Sequence, residues 1–245
     1  MRSLKAGRVD LGAYLRAFAL LFRNPQIALA PLLAAVAQVL LFMVMPAEAG
    51  AGFLGSANSS LVGLAAQLIA SFGLAVALIV AETAWRRGRA PFDEAWDDAR
   101  RKLGAILLAA IGFNFITYVA GLVGGLLGPF GSIALTLLAY GFFIYTIPAA
   151  AIGGLPGAAA LNAAFERAQR TLLATALVTA LYIFAFSIAP TLVVELFSPV
   201  LMGSSIFASG VVLSLVVAVV KAVLTAYVAI VLAKMYDDAS YGRFY

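Results

Sequence analysis

Histidine and cysteine are both missing from this 245-residue chain. Without thiols there is no disulfide, no thiolate nucleophile and no Cys-ligated metal, and redox chemistry says nothing about compartment. Without imidazole the commonest general base near neutral pH and the commonest zinc ligand are gone. Charge is scarce too. Sixteen basic and 11 acidic residues make 11% of the chain, whereas 64% is hydrophobic; soluble domains run nearer a quarter charged. Too few polar side chains remain to cover a water-soluble surface, so the composition belongs to the membrane class. The net charge of +5 does not point to nucleic acid, because the bases flank apolar runs and form no continuous phosphate-tracking face.

What is present is a set of long apolar runs. A hydrocarbon core about 30 Å thick takes roughly 20 residues of helix. Six stretches reach that length: Gln26–Met45, Leu61–Ala81, Leu103–Leu127, Phe130–Ile152, Thr171–Phe197 and Ile206–Ala233. Backbone groups in lipid must be satisfied within the segment, and period-2 alternation is lacking, so helices are expected and a β-barrel is not. The sequence therefore predicts an all-α polytopic bundle of six transmembrane helices over 26–233. It is preceded by an interfacial segment 1–25 and followed by a tail 234–245.

Lys and Arg set the orientation. Arg2, Lys5, Arg8, Arg16 and Arg23 precede the first span. Arg86, Arg87, Arg89, Arg100, Arg101 and Lys102 lie in the second connection (82–102), Arg167 and Arg170 in the fourth (153–170), and Lys234 and Arg243 in the tail. These segments share one side of a six-span layout. The connections near 46–60, 128–129 and 198–205 carry no base. Both termini are expected in the cytoplasm of a bacterial cell, with the bundle in the inner membrane. Ala47-Glu48-Ala49 has the look of a signal-peptidase site, but the apolar run before it is about 20 residues, longer than the 7–15 of a signal peptide. The first span is expected to stay.

Eleven charged residues crowd into AETAWRRGRAPFDEAWDDARRKLG (81–104). After Pro91, a first-turn residue, come Asp93, Glu94, Asp97 and Asp98, then Arg100, Arg101 and Lys102. Acids early and bases late complement a helix dipole, and Asp97–Arg101 and Asp98–Lys102 are i,i+4 pairs. Phe92, Trp96, Ala99 and Leu103 share a face, predicting an amphipathic helix over 91–102. Trp85 and Trp96 suit headgroup depth. The segment reads either as a solvated, positively anchored loop or as a contact surface for a protein partner or anionic lipid headgroups through Trp96, Asp97, Asp98, Arg100 and Arg101. Another interfacial helix is expected at 9–23, where Leu11, Tyr14, Leu15, Phe18, Leu21 and Phe22 repeat at helical spacing.

GGLPGAAALNAAFERAQRTLLAT (153–175) is built like the opening connection. Gly88 and Gly154, Pro91 and Pro156, and Trp96 and Leu161 correspond, which reads as a weak internal repeat. The layout of an amphipathic start ending in an RNP-x-x-x-x-x-P stretch (Arg23 to Pro31), six spans and IPAAAIGGLPGAAALNAAFERAQRT (147–171) resembles uncharacterised six-helix bacterial membrane proteins. It is also similar to the membrane domain fused to some glycerophosphodiester phosphodiesterases. The resemblance implies an inner-membrane protein; the soluble catalytic domain of those fusions has no counterpart here.

Lys221 sits inside a span on a face with Ser214, Ala218 and Thr225. A charge near mid-bilayer costs at least about 2.5–3.5 kcal/mol, which marks it as a candidate site. At 1.5 Å per residue, Gln38, Asn114 and Lys221 all fall roughly 16–18 Å from the cytoplasmic ends of their spans. Two readings stay open: the amine binds an anion or lipid headgroup with the two amides orienting it, or Gln38, Asn114 and backbone carbonyls satisfy it, or it snorkels. Glu195 falls at the outer end of the fifth span; Glu82 is expected to pair with Arg86. GLVGGLLGPFG carries GxxxG frames at Gly121/Gly125 and Gly124/Gly128, suited to packing within the bundle or to a homo-oligomer.

Enzyme signatures are missing. Asp97-Asp98-Ala99-Arg100 resembles part of the acidic motif of CDP-alcohol phosphotransferases, but the next acid is Glu166, so the second metal site has no ligands. HExxH, GxSxG and P-loop motifs are absent. The sequence thus reads as a non-enzymatic integral membrane protein without cofactor, a scaffold, accessory subunit or envelope-maintenance factor. The alternative is a small transporter or lipid-handling permease with a polar site at Lys221.

Overall fold

A computed structural model describes residues 11–45, 53–201 and 206–241, with side chains for 11–45, 61–197 and 210–239. Arg2, Lys5, Arg8, Arg243, Ala47-Glu48-Ala49 and the connecting stretches 46–52 and 202–205 lie outside the described residues.

The chain is helical throughout that range: α1 (Leu11–Arg23), a 3-10 turn (Pro25–Ala28), α2 (Leu29–Val44), α3 (Phe53–Arg87), α4 (Phe92–Arg101), α5 (Leu103–Gly125), α6 (Pro129–Phe143), α7 (Thr146–Ala151), α8 (Gly157–Arg170), α9 (Leu172–Ile183), a π-helical turn (Phe184–Ile188), α10 (Ala189–Leu201) and α11 (Ile206–Tyr241). Six segments are long and apolar enough to cross a membrane: Pro25–Val44, Leu61–Arg87, Leu103–Gly125, Pro129–Ala151, Leu172–Phe197 and Gly210–Ala239. This is a multi-pass, all-α membrane bundle.

Several expected boundaries move. α3 continues through Glu82 to Arg87, and α11 runs on from Ala233 to Tyr241, so part of the expected connection and tail is helix. Pairs inside these extensions explain why. Glu82–Arg86 closes at 2.6 Å, as expected, Arg86 also reaches Asp237 at 3.5 Å, and Lys234–Asp238 closes at 2.6 Å. The fourth span is not one helix. It breaks between Phe143 and Thr146 into α6 and α7. The fifth loosens to a π-turn just before Pro190, whose missing N–H cannot serve the carbonyl of Phe186.

The core lies at the end carrying the bases. α3 from Leu74 to Ala81, all of α7 and α11 from Val228 to Ala233 are buried on every side, so they form the centre rather than a stripe. Three short helices collar them. Each presents buried alanines one turn apart: Ala13 and Ala17 of α1 (continued by Leu21), Ala95 and Ala99 of α4, and Ala160, Ala164 and Ala168 of α8. This corrects the expected face of α4. Ala95 joins Ala99, whereas Leu103 is 40% exposed. Trp96 packs edge-on to Phe72 at 5.5 Å, and the indole of Trp85 donates to Ile230 O at 2.9 Å, so both tryptophans are used within the protein. On α1, Leu11, Leu15, Phe18 and Phe22 stay exposed.

The repeated connections share backbone geometry. Gly88 and Gly154 both take positive φ (77° and 65°), the region where glycine is free of a Cβ clash. Pro91 and Pro156 each stand in extended backbone at the N-cap, just ahead of the helix rather than in its first turn. In α4, Lys102 pairs with Asp98 at 2.7 Å as expected, but Arg101 turns to Asp98 (3.6 Å) rather than to Asp97.

The RNP stretch also acquires a role. Asn24, 1% exposed, donates through its amide to Leu20 O and to Gly88 O, each at 3.2 Å, and Gln26 bonds Ala90 O. The entry to the first span is thereby stitched to the turn after the second. Asn24→Ala removes the side-chain donor to Gly88 O, while Leu20 O keeps the backbone N–H of residue 24 at 2.9 Å. A loss of about 1–3 kcal/mol is expected, read as a lower midpoint of unfolding in mixed detergent. An unchanged midpoint would show that the stitch contributes nothing.

Candidate functional site

Packing changes character between the two ends. Away from the collar the helices part into two groups, α2, α3 and α11 on one side and α5 and α6 on the other, with α9 against both α6 and α11 and the π-turn against α11. A cavity of about 630 Å³ lies between them, within the range of small-ligand sites. Its walls run from Gly63 to Leu74 on α3 and from Ser132 to Tyr140 on α6; Phe113, Asn114, Tyr182 and Ser187 also line it. Leu74 and Ile147 bound it toward the packed core. The cavity therefore occupies the half of the bundle remote from the bases.

Lys221 stands on its wall with Gln38 and Asn114. The three residues that share a depth in the sequence share this cavity in the structure. Lys221 Nζ donates to Gln38 Oε1 at 3.0 Å, and Gln38 Nε2 donates to Ala66 O at 2.5 Å. That second bond fixes the amide so that its oxygen faces the amine. Asn114 is not part of the pair. Its Nδ2 donates to Ala110 O of its own helix at 2.9 Å. Among the described residues no carboxylate lines this space, so the ammonium has a neutral acceptor and no counter-ion there. Ala218 and Thr225 are buried on the face of Lys221, as expected, and Thr225 Oγ1 donates to Lys221 O at 2.7 Å.

Why α2 and α3 come close enough to align Gln38 with Ala66 is visible at Gly73. A Cβ there would stand 2.6 Å from Ala34 Cβ and 3.1 Å from Ala30 O. The glycine and two alanines let the backbones approach.

Glu195 is exposed on α10 and lines neither this cavity nor the polar one at the basic end. The candidate contact surface divides. Asp97, Arg100 and Arg101 face outward, whereas Trp96 and Asp98 are half-buried, the first in ring contacts with Phe72 and Phe92 and the second holding Lys102. Asp97, Asp98 and Arg101 also edge a polar cavity of about 510 Å³ with Glu82 and Arg86. On α1, burial raises the phenol of Tyr14 to about 12, so it stays neutral. The glycine motif packs within the chain. Gly121 and Gly124 face α6, while nothing lies within 4 Å of a Cβ built at Gly125.

Among the described residues no group of three or more His, Cys, Asp or Glu side chains is placed to hold a metal. Compared with known protein families, with curated proteins and with solved structures, the chain shows no match. Sequence reasoning located Lys221, Gln38 and Asn114 but not the hydroxyls of Ser132, Thr136, Tyr140, Tyr182 and Ser187 around them. The i,i+4 spacing of Ser132, Thr136 and Tyr140 was the available signal.

Proposed function

We propose that this chain is a protein of the bacterial inner membrane, with both termini in the cytoplasm, that takes up an acidic amphiphile in the cavity at Lys221 as a small permease or lipid-handling protein. The observation that carries this reading is the pairing of an uncompensated ammonium with a fixed amide on the wall of a large, mostly apolar cavity. An acid group supplies the missing counter-charge at Lys221, and the phenyl and aliphatic walls accept a hydrocarbon tail. A purely structural lysine would gain nothing from a 630 Å³ space beside it. The distribution of bases supports the orientation, placing the cavity in the periplasmic half. The exposed apolar row of α1 suits a helix lying at the cytoplasmic headgroup plane.

A scaffold role through the exposed Asp97, Arg100 and Arg101 is the weaker reading, because the cavity that Asp97 and Arg101 edge is lined mainly by charged side chains.

Native mass spectrometry of the full chain released from mild detergent tests the proposal. Wild-type protein is expected to retain an acidic amphiphile that Lys221→Met loses at least tenfold, with melting temperature maintained. Equal adducts on both proteins, or none on the wild type, would end the reading.

A further inference from the structure

A second polar feature lies between the cavity and the basic end. Thr171, the N-cap of α9, and Thr175 and Thr179 within it recur one turn apart and are all buried, at 2%, 4% and 6% exposure. Thr171 follows the exposed Arg170 directly. Its Oγ1 lies 3.0 Å from Arg167 O and 3.2 Å from Thr175 Oγ1, and Thr175 donates to the phenol oxygen of the fully buried Tyr145 at 3.4 Å. One turn further, Thr179 Oγ1 is buried and has no hydrogen-bond partner among the described residues; the same holds for Thr146 Oγ1 beside Tyr145. Tyr182, the next residue on this face, lines the cavity with Tyr140, their rings 5.9 Å apart.

Gly141, next to Tyr140, lies against the last hydroxyl of the row. A Cβ built there meets only Thr179 Oγ1, at 3.9 Å. The missing side chain leaves a small space against an unpartnered hydroxyl. Buried hydroxyls without a protein partner are the places that hold structural water. Helix packing alone does not account for the row, since side-chain hydrogen bonds between membrane helices average only about 0.6 kcal/mol, and Thr179 makes none.

We infer that this seam of hydroxyls, completed by water beside Gly141, is a proton path between the basic end and the cavity. Each hydroxyl accepts a proton on an oxygen lone pair from one neighbour and releases its own to the next. No bond to carbon changes, no group is left charged, and one proton is moved. The path starts at Thr171, directly after Arg170, which pairs with Glu166 at 3.7 Å. It ends among Tyr140, Tyr182 and, across the cavity, Lys221, the one ammonium among the described residues that line that space. Only this endpoint rests on the proposed binding role; with it, the charge of Lys221 or of the bound acid is coupled to protons from the cytoplasmic side.

The test needs no ligand. Full-length protein is reconstituted in vesicles with a trapped pH dye, and proton entry is followed after a pH step with potassium and valinomycin clamping the potential. Wild-type protein is expected to conduct above protein-free vesicles. Thr179→Val, nearly isosteric, and Gly141→Ala, which fills the space, are each expected to cut the rate at least tenfold, while Thr179→Ser retains it. Melting temperatures are measured alongside. A wild type no faster than empty vesicles, or a Thr179→Val protein as fast as wild type, would overturn the path. Absence of an acidic adduct with flux intact would instead remove the binding role and leave the seam standing.

Discussion

Gly124→Ala is expected to destabilise the protein by about 2–3 kcal/mol, the range of overpacking in a core that cannot move. The added methyl would sit 2.4 Å from Gly131 O and 2.7 Å from both Gly131 C and Ser132 Cα. All three are backbone atoms of α6, so no rotamer relieves the contact. The tight turn through Gly128 (φ 89°) and the bond from Ser132 Oγ to Gly121 O (3.0 Å) hold the two helices at this separation. The hairpin has to open, and it forms one wall of the cavity. Alanine's better helix propensity offsets at most about 1 kcal/mol of this. Gly125→Ala is the matched control. Nothing lies within 4 Å of its Cβ position, so a change within about 0.5 kcal/mol is expected. Unfolding in a mixed-detergent series measures both. Equal stabilities would refute the close approach, and a dimer lost in Gly125→Ala alone would move the glycine motif to an interface between chains.

The second large effect concerns Lys221. Lys221→Glu is expected to cost at least about 3 kcal/mol, the lower end for leaving a buried charge without its partner. Gln38 presents its oxygen to this position because its nitrogen is held by Ala66 O. A carboxylate there faces an acceptor, and rotating the amide to help it abandons Ala66. Lys221→Met behaves differently. It removes a charge whose burial is expensive and leaves a neutral amide at the edge of a roomy cavity, so stability is expected to hold or rise. The diagnostic is the order of melting temperatures, methionine at or above lysine and glutamate well below. A glutamate variant as stable as wild type would mean that water, not Gln38, surrounds the amine.

Much of this was legible in the chain. Hydropathy located all six crossings because hydrocarbon demands a long uncharged run wherever it is crossed. Equal depths placed Gln38, Asn114 and Lys221 at one level because rise per residue is constant. Depth does not give azimuth, which is why Asn114, at the right level, bonds its own helix while Gln38 meets the amine. The break between α6 and α7 was hidden because Ile144 and Tyr145 are apolar and buried like their neighbours. The stitch by Asn24 depended on Gly88, 64 residues away, a relation no local pattern carries. Alanine rows were overlooked for a related reason. Against large aromatic residues on the same helices they look like spacing, yet they make the closest contact, while Phe18, Phe22 and Phe165 face out.

Those rows have a mechanical consequence. A line of methyl groups is nearly smooth, with no knobs to lock into holes, so the three collar helices have little intrinsic preference for one setting along the bundle over another nearby. Their position is fixed instead by a few directional pegs. Tyr227 donates to Tyr14 O at 3.2 Å for α1, Lys102 to Ala151 O at 2.9 Å for α4, and the Arg167 guanidinium sits 4.2 Å above the Tyr236 ring for α8. Sliding is therefore governed by directional contacts rather than by bulk interlocking, and loosening those of one helix leaves its two companions with theirs.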